Sequence, residues 1–272
     1  MRFYHVYYSY PNGRFGLRDK DSLNAYVYGL SCCYIKKLGH EIVLYCNDAG
    51  AEALKDLPYD AVYKSLNGIK ATACFAAGKI PAHTLEPLGS VYIDGDVIIS
   101  KQEAIDYITE RSKDTDIFVQ QEEGGRLADF GFMDDLLAER LQGELKDLCP
   151  EWVKFSHSRS VNCGIVIFNN AELKDKYCKA YMGIYETLCR TDFFEDSQKD
   201  SNVWVPDMVL EQAYLYDLIK YYGYKYGSIF PYTTDCGDYY CNSAIGFRHY
   251  CYDSKYTFIE RIKAELRVIG GK

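Results

Sequence analysis

Ser90-Val91-Tyr92-Ile93-Asp94-Gly95-Asp96-Val97-Ile98-Ile99 decides how this chain is read. A short apolar run, suited to a strand buried on both faces, ends in two carboxylates separated by one glycine. A second apolar run follows directly. In open α/β sheets, ligands gather outside the carboxyl ends of the strands. Two carboxylates placed there converge on a hard cation that bridges phosphate oxygens, and Gly95 leaves room for a diphosphate near the backbone. The Asp-Gly pair suits a hairpin turn equally well. Taken alone the motif leaves turn and metal site open; the apolar runs on both sides favour the metal.

Outward from this stretch, apolar β-type runs alternate with helical patterns. Phe3 to Tyr8, Glu41 to Cys46, Ala61 to Tyr63, Ile117 to Val119 and Gly164 to Phe168 read as strands. A polar turn at Pro11-Asn12-Gly13 follows the first. Asp21 or Ser22 caps a helix whose apolar face runs through Leu23, Val27, Leu30 and Tyr34 to a stop at Gly39. Ile69 to about Ile80 reads as a helix that Pro81 ends or bends. Further helices are expected at Phe132 to Leu148, Glu172 to Leu188, Val209 to Tyr222 and Ile259 to Val268. The pattern predicts an α/β fold with a mostly parallel central sheet flanked by helices. Thr191 to Asn202 is a polar stretch suited to a loop, but no repeat or linker divides the chain. One domain, 1–272, is expected.

The 272 residues can bury a sizeable core, and the 48% hydrophobic and 26% charged content is that of a globular protein. No stretch approaches the roughly 20 apolar residues of a membrane span. Because Met1 leads straight into a strand-like run without a signal-peptide pattern, a cytoplasmic protein is expected. The net charge of -8 argues against a nucleic-acid-binding role. Eleven scattered cysteines, often in apolar runs, read as reduced core thiols. The 27 tyrosines call for places where a ring is buried and a hydroxyl is paired, which clefts supply.

Gly78-Lys79-Ile80, followed after a gap by Val91-Tyr92-Ile93-Asp94-Gly95-Asp96, resembles the GT-A-fold glycosyltransferases related to glycogenin and galactinol synthase. Those proteins carry a Lys-Leu helix and then a strand ending in Asp-x-Asp at nearly this spacing. The string Phe75 to Ser100 also resembles a bacterial family of GT-A-like sequences. The resemblance runs through most of the chain in order and is specific at a few short motifs. It implies a nucleotide-binding half at about 1–125 and an acceptor-side half at about 126–272.

Asn162-Cys163-Gly164 and the apolar strand after it are similar to the acceptor-side strand of that group. There the resemblance gives Asn162 to a sugar hydroxyl and lets substrate approach over Gly164. Glu211-Gln212 stands where relatives carry an acid-Gln pair near a helix start. His249 resembles the group's third metal ligand, and Lys255 its diphosphate-binding lysine. The glycine and Lys-Pro-Trp that usually follow are absent; here the string reads Cys251-Tyr252-Asp253-Ser254-Lys255. Tyr8, Ser9 and Tyr10 end the first strand, where relatives bind the base, and Asn47-Asp48 ends the second. Gln120-Gln121-Glu122-Glu123 ends another strand and would face the same cleft. Each of these also fits the polar start of a loop. Cys236, Cys241, His249 and Cys251 form a rival zinc set but lack a Cys-x-x-Cys knuckle.

The expectation is a metal-dependent, hexosyltransferase-like glycosyltransferase that uses a nucleotide-sugar donor, a hydroxyl acceptor such as a glycan, and Mn²⁺ or Mg²⁺. Retention of anomeric configuration is what the resemblance implies. Asp94, Asp96 and His249 are the metal set. Lys79, Asn162, Glu211 and Gln212 are the candidate catalytic residues, and Tyr8, Ser9, Asp48, Lys79, Asp94, Gly95 and Lys255 the donor-binding ones. The alternative is a GT-A-like protein that binds nucleotide or glycan without catalysis. A nucleotidyltransferase fits less well, because the first strand lacks the glycine-rich, basic loop that cradles a triphosphate.

Overall fold

Phe3 and Tyr4, Ile42 and Val43, Ile93 and Tyr92, Phe118 and Val119, and Ile165 and Val166 are neighbours in sequence that pack into two different cores. Alternate strand residues point to opposite faces, so strands apolar at every position need a hydrophobic layer on each side. The computed structural model describes residues 1–9, 20–70, 75–124, 147–151, 159–190, 208–233, 239–251 and 254–270. Among them lies a seven-stranded sheet of order β3-β2-β1-β4-β7-β6-β8. Its strands are β1 (Arg2–Tyr7), β2 (Glu41–Cys46), β3 (Ala61–Tyr63), β4 (Val91–Ile93), β6 (Ile117–Glu123), β7 (Ser160–Phe168) and β8 (Tyr226–Ser228). β7 runs antiparallel to its neighbours β4 and β6; the other pairs in the sheet are parallel. The α/β architecture expected from the sequence is therefore present.

Helices close both faces. On one side α1 (Lys20–Lys37) buries Leu23, Val27 and Leu30, as its periodicity indicates. It begins at Lys20, so Asp21 and Ser22 lie in its first turn rather than before it. Across the sheet, α5 (Ala171–Leu188) packs Tyr177, Tyr181 and Ile184 into the core that holds Tyr92 and Phe168. A π-helical turn, Val209–Ala213, leads into α6 (Tyr214–Tyr222). Gly223 ends that helix in left-handed backbone, the conformation glycine adopts most readily. The helix expected up to Ile80 instead begins near there. A 3₁₀ turn, Phe75–Gly78, gives way to α3 (Lys79–Leu85), which runs through Pro81. A proline in the first helical turn removes an N–H that has no intrahelical partner, so it is tolerated. The expected turn at Pro11-Asn12-Gly13 and loop at Thr191 to Asn202 lie outside the described residues, as does all but the end of the helix Phe132 to Leu148.

β5 (Val97–Ile99), which follows the Asp-Gly-Asp stretch, does not fold back on β4. It joins a second, antiparallel sheet, β5-β10-β9, with β9 (Tyr239–Asn242) and β10 (Phe247–Tyr250). β10 is held from behind by α7 (Ile259–Ile269), where Arg248 makes two hydrogen bonds to Glu265 at 2.8 and 2.6 Å. Ile262 of α7 is fully buried with Val27, Leu30, Ile98 and Tyr250. No helix among the described residues is long and apolar enough to cross a membrane. Because Ile262 ties the C-terminal helix to α1, Ile262→Ala should lower the unfolding free energy by about 2–5 kcal/mol in urea titration. A loss within error of zero would show that α7 contributes nothing to the folded unit.

Candidate functional site

Asp94 leaves the end of β4 with its N–H on the Gly164 carbonyl of β7, 2.9 Å away. Its own carbonyl accepts from Val97 at 2.9 Å, so Asp94 to Val97 does form a turn. The turn joins two sheets, which excludes the hairpin alternative while keeping both carboxylates at the sheet's end. Gly95 is not among the glycines with left-handed backbone. What it supplies is space: a Cβ there would stand 2.1 Å from the Tyr28 ring, whose hydroxyl donates to the Val6 carbonyl at 2.8 Å. The room attributed to an approaching diphosphate is occupied on that side by Tyr28.

The second sheet delivers the third member of the set. His249 lies opposite Val97 in the β5–β10 register, and the Tyr250 N–H bonds the Asp96 carbonyl at 3.1 Å. One ligand atom each from Asp94, Asp96 and His249 then lies within 4.8 Å of the other two, close enough to share a metal ion. Two carboxylates and an imidazole suit a divalent cation. Among the described residues no other such cluster of acids, histidines and cysteines occurs. Of the rival zinc set, Cys236 lies outside the described residues, while Cys241 is exposed on β9. Every cysteine among the described residues is a free thiol, as expected.

Each carboxylate of the pair already meets a lysine. Lys79 Nζ stands 3.0 Å from Asp94 Oδ1 and 2.7 Å from Glu211 Oε1. Burial works against its charge, and the two acids outweigh that, holding its pKa well above the usual lysine value. Tyr92 adds to this arrangement: its ring lies 5.1 Å from Lys79 Nζ and its hydroxyl donates to Asp94 Oδ1. Lys255 Nζ reaches Asp96 Oδ2 at 2.6 Å, and His249 Nε2 lies 3.2 Å from Asp96 Oδ1. Burial raises the Asp96 pKa, but Lys255 and His249 dominate and hold it far below the carboxylate range. His249 behaves oppositely to the other buried histidines. Burial pushes His5 and His83 down to about 3. At His249 burial is outweighed by Cys251 and Asp96, and the imidazole is raised well above its ordinary value. Since burial also raises the Cys251 thiol, Asp96 is the full negative charge beside it.

Glu211 is buried in the π-helical turn, and its carbonyl accepts from Tyr177 at 3.2 Å. Gln212 follows it with a buried Oε1 that has no hydrogen-bond partner. Asn162 reaches the same region from the start of β7, with its amide in use: Nδ2 donates to Glu123 at 2.9 Å and Oδ1 accepts from Gly164 N–H at 3.0 Å. Tyr8, Ser9 and Asp48 form a separate polar group at the ends of β1 and β2. Tyr8 donates to the Ile69 carbonyl at 2.9 Å. Asn47 joins Ser9 to the α2 turn (Asp48–Ala53), and Asp48 pairs with Lys64 at 3.0 Å. Tyr10 lies outside the described residues.

Residues given no individual role from the sequence complete the site. Tyr28 and Tyr92 read only as helix and strand residues. The polar tail of β6 gave a better signal: Gln120, Gln121, Glu122 and Glu123 are all buried, and buried polar groups need partners. Gln120 meets His249, Glu122 meets Arg159 and Tyr216, and Glu123 meets Asn162 and Tyr240.

Comparison with known proteins adds a family and a set of solved structures. The model of the family described as "Family of unknown function (DUF6734)" matches residues 9–269. No curated protein matches the chain. A crystal structure of the galactosyltransferase LgtC with donor and acceptor sugar analogs is similar at 12% identity and TM-score 0.41, over 98% of this chain and 96% of that one. A structure of an active-site mutant of LgtC gives 12% and 0.41, covering 97% and 95%. Mouse xyloside xylosyltransferase 1 in its apo form gives 11% and 0.37, covering 98% and 93%.

Since Tyr28 fills the face of Gly95, Gly95→Ala should overpack the turn and lower stability by about 1–3 kcal/mol in chemical denaturation. Unchanged stability would mean that the ring does not hold the turn from that side.

Proposed function

We propose that this chain, which belongs to the DUF6734 family, is a metal-dependent glycosyltransferase that moves a sugar from a nucleotide-diphosphate donor to a hydroxyl acceptor. The observation that carries the reading is the convergence of Asp94, Asp96 and His249 at the carboxyl end of the sheet, with Lys79 and Lys255 beside them. Asp94, Asp96 and His249 would hold a Mn²⁺ or Mg²⁺ ion. When bound, that ion supplies Lewis-acid stabilisation of the negative charge that builds on the departing diphosphate.

The chain's own groups account for the rest. Lys79 and Lys255 bring positive charge to where the leaving group develops its own, Lys79 being fixed in place by Glu211 and Asp94. Lys255, now on Asp96, would exchange that carboxylate for a phosphate oxygen. Gln212 offers an amide oxygen that lacks a donor, which a sugar hydroxyl would provide. Glu211 and Asn162, each anchored by hydrogen bonds, are assigned to the acceptor side. Tyr8, Ser9 and Asp48, at the ends of the first two strands, are assigned to the base and ribose. Gly95 belongs to this donor-side set through the turn it permits. Retention of configuration is the stereochemical outcome we assign.

A screen of nucleotide sugars with Mn²⁺ or Mg²⁺, read as nucleotide release, tests the activity. Asp96→Asn should leave the circular dichroism spectrum intact and reduce divalent-dependent release about a thousandfold, since the metal contributes several kcal/mol at 1.36 kcal/mol per tenfold. An Asp96→Asn protein that stays active and divalent-dependent would overturn the metal assignment. Donor binding without turnover on any sugar would replace this reading by that of a binding protein.

A further inference from the structure

Gln120 is the least expected residue in the core. It is wholly buried and its carbonyl accepts from both Ile229 and Phe230 at 3.0 Å, so the backbone is pinned. Its side-chain Oε1 lies 2.7 Å from His249 Nδ1, while its Nε2 is buried with no partner. A buried amide with an unmet N–H costs about 1–3 kcal/mol. An apolar side chain of similar volume would avoid that cost, so core stability alone does not account for a glutamine here.

The surroundings are built for this contact. The β6–β7 ladder shifts register between Val119 and Gln121: Val119 pairs with Val166, but Gln121 pairs with Asn162. Such bulges re-aim side chains beside functional sites. Opposite the shift stands Gly164, where a Cβ would lie 2.5 Å from Gln120 Oε1, 2.5 Å from His249 Cε1 and 2.7 Å from Nδ1. Any larger residue would displace the pair. The sequence reading gave Gly164 to substrate approach; its open face is occupied by the glutamine and the imidazole.

We infer that Gln120 is a positioning residue for His249: seated on Gly164, it accepts the Nδ1–H and so presents Nε2 toward Asp96 as the metal-ligating atom. The inference rests on the metal-site reading above. An imidazole whose Nδ1 carries the proton has its Nε2 lone pair available, and the partner on Nδ1 fixes both tautomer and ring orientation. Gln120 would touch neither metal nor substrate.

The test is Mn²⁺ affinity of the full chain by isothermal titration calorimetry, alongside thermal unfolding. Gln120→Leu, or the near-isosteric Gln120→Met should the leucine variant fail to fold, removes the acceptor. Either should weaken Mn²⁺ binding about 10–100-fold while the melting temperature holds or rises. Gln120→Glu keeps an oxygen for Nδ1–H and should retain binding. In a His249→Ala background, losing Gln120 should cost no further affinity, because the two act as a unit. Parental affinity in Gln120→Leu and Gln120→Met, with affinity lost in His249→Ala, would overturn the positioning role and leave the metal site standing. Unchanged affinity in His249→Ala would remove the histidine from the metal site and this inference with it.

Discussion

Lys79 lies between Asp94 at 3.0 Å and Glu211 at 2.7 Å, and the end of the sheet is arranged around keeping such buried charge compensated. Asp96, Glu122, Glu123 and Glu211 are all buried there. Charge in that setting is costly unless it is paired and hydrogen-bonded. Lys255 and His249 serve Asp96, Arg159 together with tyrosine and amide groups serves Glu122 and Glu123, and Tyr92 serves Asp94. These contacts come from β4, β6, β7, β8, β9, β10, α3, α6 and the π-helical turn, together with Arg159 and Lys255. Compensation of the acids thus cross-links the two sheets to the helical layer at the place where ligands of this architecture bind.

That requirement explains what the sequence disclosed and what it hid. Apolar runs at Glu41 to Cys46 and Ser90 to Ile93 announce strands buried on both faces, and β2 and β4 are buried in this way. The carboxylates at 94 and 96 were legible because an acid at the end of a buried strand must open into a site or find a cation. The partners were less legible. Local spacing says that Val97 to Ile99 is a strand but not that it pairs with β10, because antiparallel partners some 150 positions away leave no periodic trace. Without that pairing His249 is one histidine among five. Gln120 to Glu123 end a strand, as the sequence indicates, but their partners Arg159, Asn162 and Tyr240 come from later segments and could not be named from it.

Glycines disclose little of their surroundings for a related reason. A sequence shows that a side chain is missing but not which body takes its place. At Gly95 that body is the Tyr28 ring, and at Gly164 it is the Gln120–His249 pair. In both cases the space that a Cβ would take belongs to protein. The glycines still matter to the site at one remove: Gly95 lets the turn close on α1, and Gly164 lets a residue from the second sheet rest against the backbone of the first. Pro81 is a parallel case, where the same residue that would end one helix begins another because only its position in the first turn decides.

The abundance of tyrosine acquires a physical reason in the same terms. A tyrosine fills core volume as phenylalanine does but carries a hydroxyl that must be paired when buried. In this chain that hydroxyl repeatedly reaches a group the site depends on. Tyr92 donates to Asp94, Tyr177 to the Glu211 carbonyl, Tyr28 to the Val6 carbonyl beside Gly95, Tyr216 to Glu122 and Tyr240 to Glu123. The rings of Tyr92, Tyr177 and Tyr216 lie within the same core. Packing of the core and orientation of the acids are therefore not separable: a phenylalanine at these positions would keep the volume and release the carboxylate or the turn it holds. At the sheet's end the hydrophobic layer beneath orients the acids through its own hydroxyl groups.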